Sequence, residues 1–149
     1  MDINLTPIGF VRNSIAEPSK EDGQSVTSEI VINENLKEAL SRLDEFSHII
    51  VIYWMHRIPA GERSITQVHP RRNPKLPLVG VFASRSPARP NPIGLSTVKL
   101  LERRDNVLKV VGLDAINGTP VLDIKPHLPG SDSPAGAKIP AWLKKIASS

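Results

Sequence analysis

The sequence predicts a mainly β protein: a small antiparallel β-barrel with one or two short helices and long loops, not a Rossmann fold. Apolar, β-branched runs are short and closely spaced, at residues 26–32, 48–56 and 107–113. Turn signals stand between such runs, the strongest being Asn117-Gly118, two residues that accept a positive φ. Strands do not alternate with helices, which removes the doubly wound parallel sheet. Fourteen prolines among 149 residues, with only 4% aromatics, suit many turns better than a helical bundle.

Residues 3–5 and 8–11 read as a first strand broken at Pro7, and residues 12–25, polar with Pro18 and Gly23, as a long loop. Residues 26–32 form the second strand. Asn33 or Asn35 is placed to cap a short amphipathic helix that buries Leu36, Leu40 and Leu43, with Glu38 completing a capping box from Asn35. Residues 48–56 are continuously apolar, as in a central strand buried on both faces. His56 ends that run, where it fits either a site residue or an edge histidine held by backbone. Residues 57–78 are basic and broken by Pro59, Pro70, Pro74 and Pro77, a connection long enough to be functional or unstructured. Residues 79–83 read as a buried strand and residues 97–101 as another, which Asp105-Asn106 turns back into residues 107–113. Asn117-Gly118 then joins residues 113–116 to 119–124 as a hairpin, setting Asp114 and Asp123 on neighbouring strands. Residues 140–146 form a closing helix with proline in its first turn.

A chain of this length suits one domain. No apolar run approaches the roughly 20 residues of a membrane span, and the start of the chain has neither the basic residues nor the apolar core of a signal peptide. Absence of cysteine excludes disulfides and thiolate metal sites and leaves a cytoplasmic location as the expectation. The four histidines are scattered without H-E-x-x-H, and Asp114, Asp123 and Asp132 read as solvated carboxylates, so no metal is expected. There is no G-x-G-x-x-G after a strand, no phosphate-binding G-x-x-x-x-G-K-[ST] and no G-x-S-x-G elbow.

Charge is unevenly spread. Ten of the nineteen basic residues fall between Arg57 and Arg104, opposed there only by Glu62 and Glu102. That concentration suits a phosphate-rich partner or a merely solvated basic face. Inside it, residues 84–96 hold Arg85, Arg89, three prolines and Gly94. Proline fixes φ, removes a donor and extends the residue before it, so this stretch is a loop stiff before any ligand arrives. Stiffness leaves little entropy to lose on binding, and arginines on such a loop fit an anion site or a structural turn.

The residues themselves point further. Gly80-Val81-Phe82-Ala83-Ser84-Arg85-Ser86-Pro87, then Arg89-Pro90-Asn91-Pro92-Ile93-Gly94-Leu95-Ser96, closely resembles the signature of the TsaA-like family. The likeness covers nearly the whole chain. It takes in Pro7-Ile8-Gly9-Phe10-Val11-Arg12, Leu43-Asp44-Glu45-Phe46-Ser47-His48, Asn117-Gly118-Thr119-Pro120-Val121 and Asp123-Ile124-Lys125-Pro126. Characterised members of that family are S-adenosylmethionine-dependent tRNA methyltransferases acting on N6 of the threonylcarbamoyladenosine beside the anticodon.

The resemblance implies one TsaA-like barrel domain over residues 1–149, working as a homodimer on the tRNA anticodon loop with S-adenosyl-L-methionine as cofactor. Carried over by position, His56, Arg57, Arg85, Leu95, Val111, Gly112, Leu113 and Asp114 are the expected cofactor residues. Arg85 suits the methionyl carboxylate, Asp114 the ribose hydroxyls or the amine, and Leu95 and Leu113 the adenine walls. Asp123 and His127 are the candidate bases, with Lys125 to orient substrate charge, while Arg71, Arg72 and Arg89 are the candidate substrate contacts. His127 stands where members often have an aromatic residue, and many bacterial members carry a further C-terminal domain. The alternative is a cofactor-binding protein, or a methyltransferase of this fold acting on another RNA or a small molecule.

Overall fold

The computed structural model describes residues 1–16 and 26–147, so most of the loop expected at residues 12–25 lies outside the described residues. Eight strands follow in order: β1 (Gly9–Arg12), β2 (Thr27–Ile32), β3 (His48–Trp54), β4 (Gln67–Val68), β5 (Val79–Gly80), β6 (Ile93–Arg104), β7 (Val107–Val111) and β8 (Pro120–Pro126). Two short helices close the chain, α1 (Pro129–Asp132) and α2 (Ala141–Ala147). The residues divide into two compact units, one of Met1–Arg57 with Ile93–His127 and one of Ile58–Pro92 with Leu128–Ser149.

The first unit is the predicted barrel. Six antiparallel strands close in the order β1-β2-β7-β6-β3-β8, with β8 pairing back onto β1. Closure leaves no free sheet edge. Alternation along each strand sets which face fills the interior. On β6, Gly94, Ser96, Val98 and Leu100 are buried, while Ile93, Leu95, Thr97 and Lys99 are exposed. On β3, Ile49, Val51 and Tyr53 are buried between half-buried Ile50, Ile52 and Trp54. The expectation of a β3 buried on both faces is therefore corrected, because a strand of a small barrel has one inner face only. Val11, Ile30, Leu108, Val110, Leu113 and Val121 complete a core from which water is excluded.

Four further expectations change. The strand expected at residues 97–101 is longer, since β6 begins at Ile93 and pairs with β3 from Trp54↔Ile93 to His48↔Lys99. The amphipathic helix is instead two 3₁₀ turns, Glu34–Leu40 and Leu43–Glu45, separated by Arg42 at φ 69°. Asn33 does not cap them, as its Nδ2 donates to the Pro7 carbonyl at 3.2 Å. Residues 3–5 form no strand, and β1 starts after Pro7. Asn117-Gly118 makes its turn with Gly118 at φ 85°, but no hairpin, because residues 112–119 are irregular. Leu113, Ala115 and Ile116 are all buried, a spacing that a two-residue alternation cannot satisfy. Gly118 N–H donates to Val11 O and Thr119 N–H to Ile116 O.

The second unit holds β4 paired with β5, three 3₁₀ turns (Ala60–Ser64, Pro70–Arg72, Val81–Ala83), α1 and α2. Residues 79–83 are not a buried strand. After the two residues of β5 the chain closes a turn in which Ser84 N–H and Oγ both bond Val81 O, and Phe82 is 81% exposed. The expected closing helix is present as α2. No helix among the described residues is long and apolar enough to cross a membrane.

Lys37 joins Glu34 at 3.2 Å and Asp105 at 3.3 Å, tying the first 3₁₀ turn to the β6–β7 turn. These hydrogen bonds raise its pKa above the ordinary 10.5. A raised lysine contributes fully below its unfolded pKa and loses that contribution as pH rises through the folded one, so this tie persists at neutral pH and fades only above pH 10.5. Leu108, with no exposed surface, carries far more. Leu108→Ala should lower the free energy of unfolding by about 2–5 kcal/mol in urea titration, whereas Lys37→Met should move the midpoint little at pH 7.

Candidate functional site

In the second unit, residues 84–92 form the stiff loop, and hydroxyls and arginines hold it internally. Ser86 N–H donates to Ser84 Oγ at 3.3 Å and Ala88 N–H to Ser86 Oγ at 3.2 Å, so serine oxygens accept from backbone donors that no ladder engages. Arg89 Nη1 donates to Ser84 O at 3.1 Å and Ser86 O at 3.0 Å. Arg63, which no motif singles out, donates from Nε to Pro90 O at 2.7 Å and from Nη2 to Asn91 Oδ1 at 3.3 Å. Arg85 differs from both. It is exposed, and its guanidinium has no hydrogen bond or ion pair among the described residues. The loop thus spends two arginines on its own shape and presents a third. Arg89, expected to face substrate, is half-buried with Nη1 turned inward, because the loop's carbonyls have few other donors.

Arg71 and Arg72 occupy consecutive left-handed positions, each at φ 55°. Arg72 N–H donates to His69 O, Asn73 N–H to Pro70 O, and the His69 ring to Leu76 O at 2.8 Å. A carbonyl only accepts, so His69 Nδ1 carries the proton there. The resulting knuckle exposes Arg71, Arg72 and Lys75, none with a side-chain partner among the described residues.

In the barrel unit, Val111 ends β7 and Gly112 takes φ 98°, a value that favours glycine and turns the chain out of the ladder. Leu113 then points into the core with no exposed surface, so its side chain cannot wall an adenine and that expectation is withdrawn. Asp114 is exposed, while its carbonyl accepts the Tyr53 hydroxyl at 2.9 Å. Leu95 lies 45% exposed on the outer face of β6, opposite Ile52. His56 and Arg57 follow β3, both exposed and without side-chain partners among the described residues.

The three catalytic candidates lie along β8 and just beyond it. Asp123 Oδ2 pairs with Lys125 Nζ at 3.0 Å, and Oδ1 accepts from Ile124 N–H at 2.9 Å. Both oxygens are engaged, and the cation expected to orient substrate is spent on the carboxylate beside it. The His127 ring meets that of His48 edge-on, centroids 6.4 Å apart. Asp123 also borders a cavity of about 400 Å³ lined by Ile8, Leu36, Leu40, Leu43 and Phe46, beneath the 3₁₀ turns.

With this geometry in hand, residues 12–133 match the family model of the tRNA-methyltransferase O N-terminal domain. A probable S-adenosyl-L-methionine-binding protein of Methanothermobacter thermautotrophicus is 44% identical over 137 residues, 89% of this chain and 96% of that protein. The tRNA (adenine(37)-N6)-methyltransferase of Escherichia coli is 44% identical over 103 residues, 66% of this chain and 43% of that protein. The crystal structure of TrmO from Pseudomonas aeruginosa agrees at a TM-score of 0.76 and 30% identity, covering 95% of this chain and 62% of that one. The chain belongs to the tRNA-methyltransferase O N-terminal domain family, as its motifs implied. It spans about three fifths of the solved structure and less than half of the Escherichia coli protein.

The loop bonds make a direct prediction. Arg89→Ala should speed hydrogen exchange at Ser86 and Ala88 about tenfold, while exchange in β3 stays unchanged. Unchanged exchange at both loop amides would remove Arg89 as the loop's brace.

Proposed function

We propose that this chain is an S-adenosyl-L-methionine-dependent tRNA methyltransferase that methylates N6 of threonylcarbamoyladenosine next to the anticodon, acting in the cytoplasm as a homodimer. The observation that carries this reading is Arg85, a partnerless cation on a braced loop within the family signature. Relatives support both halves, since one is described as a probable S-adenosyl-L-methionine-binding protein and another as a tRNA (adenine(37)-N6)-methyltransferase.

The residues present fit the cofactor. Its carboxylate calls for a cation that is not already paired, which Arg85 offers, and its ribose hydroxyls or amine for an exposed carboxylate, which Asp114 offers. His56, Arg57, Leu95, Val111 and Gly112 complete the proposed cofactor residues, Leu113 contributing backbone alone. When bound, the cofactor supplies a methyl group on a sulfonium. Transfer would break the sulfonium S–CH3 bond, release the thioether and place the methyl on N6, which would give up its proton. The nitrogen belongs to a urea whose conjugation ties up its lone pair, so holding it in line and out of that conjugation is the main task of the protein. Asp123 or His127 receives the proton in this reading, and for Asp123 that requires Lys125 to swing from the carboxylate to the substrate. Arg71 and Arg72 on the knuckle pair with RNA phosphates, with Arg89 secondary because of its inward Nη1.

A second reading, a protein of the same fold that holds the cofactor without transferring its methyl, is favoured by one observation: archaeal relatives carry cofactor-binding names alone.

Mass spectrometry of the anticodon-loop nucleoside separates the two. Incubation of threonylcarbamoylated tRNA with protein and methyl-labelled cofactor should add one labelled methyl to the modified adenosine and none to tRNA lacking the threonylcarbamoyl group. Binding without label transfer would instead support the second reading. Arg85→Ala should weaken cofactor binding at least about tenfold by calorimetry, the scale of a lost charge-assisted hydrogen bond. Arg71→Ala with Arg72→Ala should lower the slope of log affinity for tRNA against log salt by about 1.4, if each arginine neutralises one single-strand phosphate.

A further inference from the structure

We infer that Tyr53 is a positioning residue that fixes segment 112–114 from inside the barrel, and that Gly94 is the motif residue that makes room for it; this rests on the cofactor reading of Asp114 above. Tyr53 and Gly94 are direct partners on β3 and β6, both facing inward. A Cβ at Gly94 would run into the Tyr53 ring, so the absent side chain is what lets the phenol lie across β6. Tyr53 is only 4% exposed, and a phenol hydroxyl in an apolar core is costly unless paired.

It is paired on both sides. Oη donates to the Asp114 carbonyl at 2.9 Å and lies 3.1 Å from Ser96 Oγ, two residues beyond Gly94 on the same inward face. The carbonyl can only accept, so the phenol proton goes to Asp114 and the Ser96 hydroxyl donates to the phenol oxygen. The result is a directed chain, Ser96 to Tyr53 to Asp114, inside a medium that strengthens it.

Its end point lies just past the last backbone bond of the β7 strand, which Gly112 N–H makes to Val26 O at 3.4 Å. After Val111 the chain leaves β7 through Gly112 at φ 98°, and residues 112–116 belong to no strand. Beyond Gly112 side chains take over: Tyr53 bonds Asp114 O, and Asn13 Nδ2 bonds Ala115 O at 2.9 Å. Asp114 therefore has its carbonyl held inward while the residue itself stands exposed. Releasing the carbonyl lets the carboxylate wander, and a displacement of an ångström at a binding group is enough to lose affinity.

The test uses the full chain with Tyr53→Phe, which keeps the ring against Gly94 and removes only the hydroxyl. Amide exchange at residues 112–116, the cofactor dissociation constant and thermal unfolding are measured together. Exchange there should rise and the dissociation constant should grow, each about five- to tenfold, with a smaller effect from Ser96→Ala because the phenol still reaches Asp114. Unchanged affinity in Tyr53→Phe, whatever its melting temperature, would leave Tyr53 a core residue and overturn the inference. Should Tyr53→Phe not fold, Ser96→Ala decides: no change in segment exchange or in affinity counts against the chain. Should the wild type bind no cofactor, the cofactor reading of Asp114 falls, and exchange alone decides whether Tyr53 fixes the segment.

Discussion

A phenol ring laid against a strand that has no side chain to oppose it is the constraint on which this structure turns. Tyr53 and Gly94 face each other across the β3–β6 ladder, and each limits the other: a larger residue at 94 would displace the ring. The pairing from Trp54↔Ile93 to His48↔Lys99 places alternate residues inside, so a one-residue slip of β3 would turn Ile49, Val51 and Tyr53 out of the core together. Because the ring reaches past β6 to the carbonyl of Asp114, the same contact that fixes register also fixes a segment with no ladder of its own.

The family signature accordingly does two kinds of work. Residues 84–92 form a loop braced by Arg63 and Arg89, which leave Arg85 as its unpaired cation. Residues 93–96 belong to a strand, where Gly94 and Ser96 serve the Tyr53 network. Three arginines of similar appearance in the sequence thus have different fates, decided by which carbonyls the prolines leave without donors.

Much of this was legible in the residues. The barrel followed from short strands and turn chemistry, and the family followed from a motif whose prolines and arginines have a physical reason to stand together. What was not legible depends on contacts far apart in sequence. Tyr53 reads as one more apolar member of residues 48–56, and only β6 beside it shows that its hydroxyl has partners. Leu113 reads as a wall residue until the irregular segment turns it inward. Asp123 and Lys125, two residues apart on β8, read as separate catalytic candidates, yet that spacing puts them on one side of a strand where they pair. Asn33 made no side-chain cap for a related reason, since its amide found a tertiary acceptor in the Pro7 carbonyl.

The proposed cofactor reading puts the small molecule at the held segment at the end of β7, whereas a cavity of about 400 Å³ lies beneath the 3₁₀ turns. Crystals grown with S-adenosylhomocysteine, the demethylated product, distinguish them in one measurement. Ligand density should lie against Gly112 and the Asp114 carboxylate, with the Tyr53 hydroxyl still on the Asp114 carbonyl. Density among Leu36, Leu40 and Phe46, with segment 112–114 untouched, would contradict the assignment of the site.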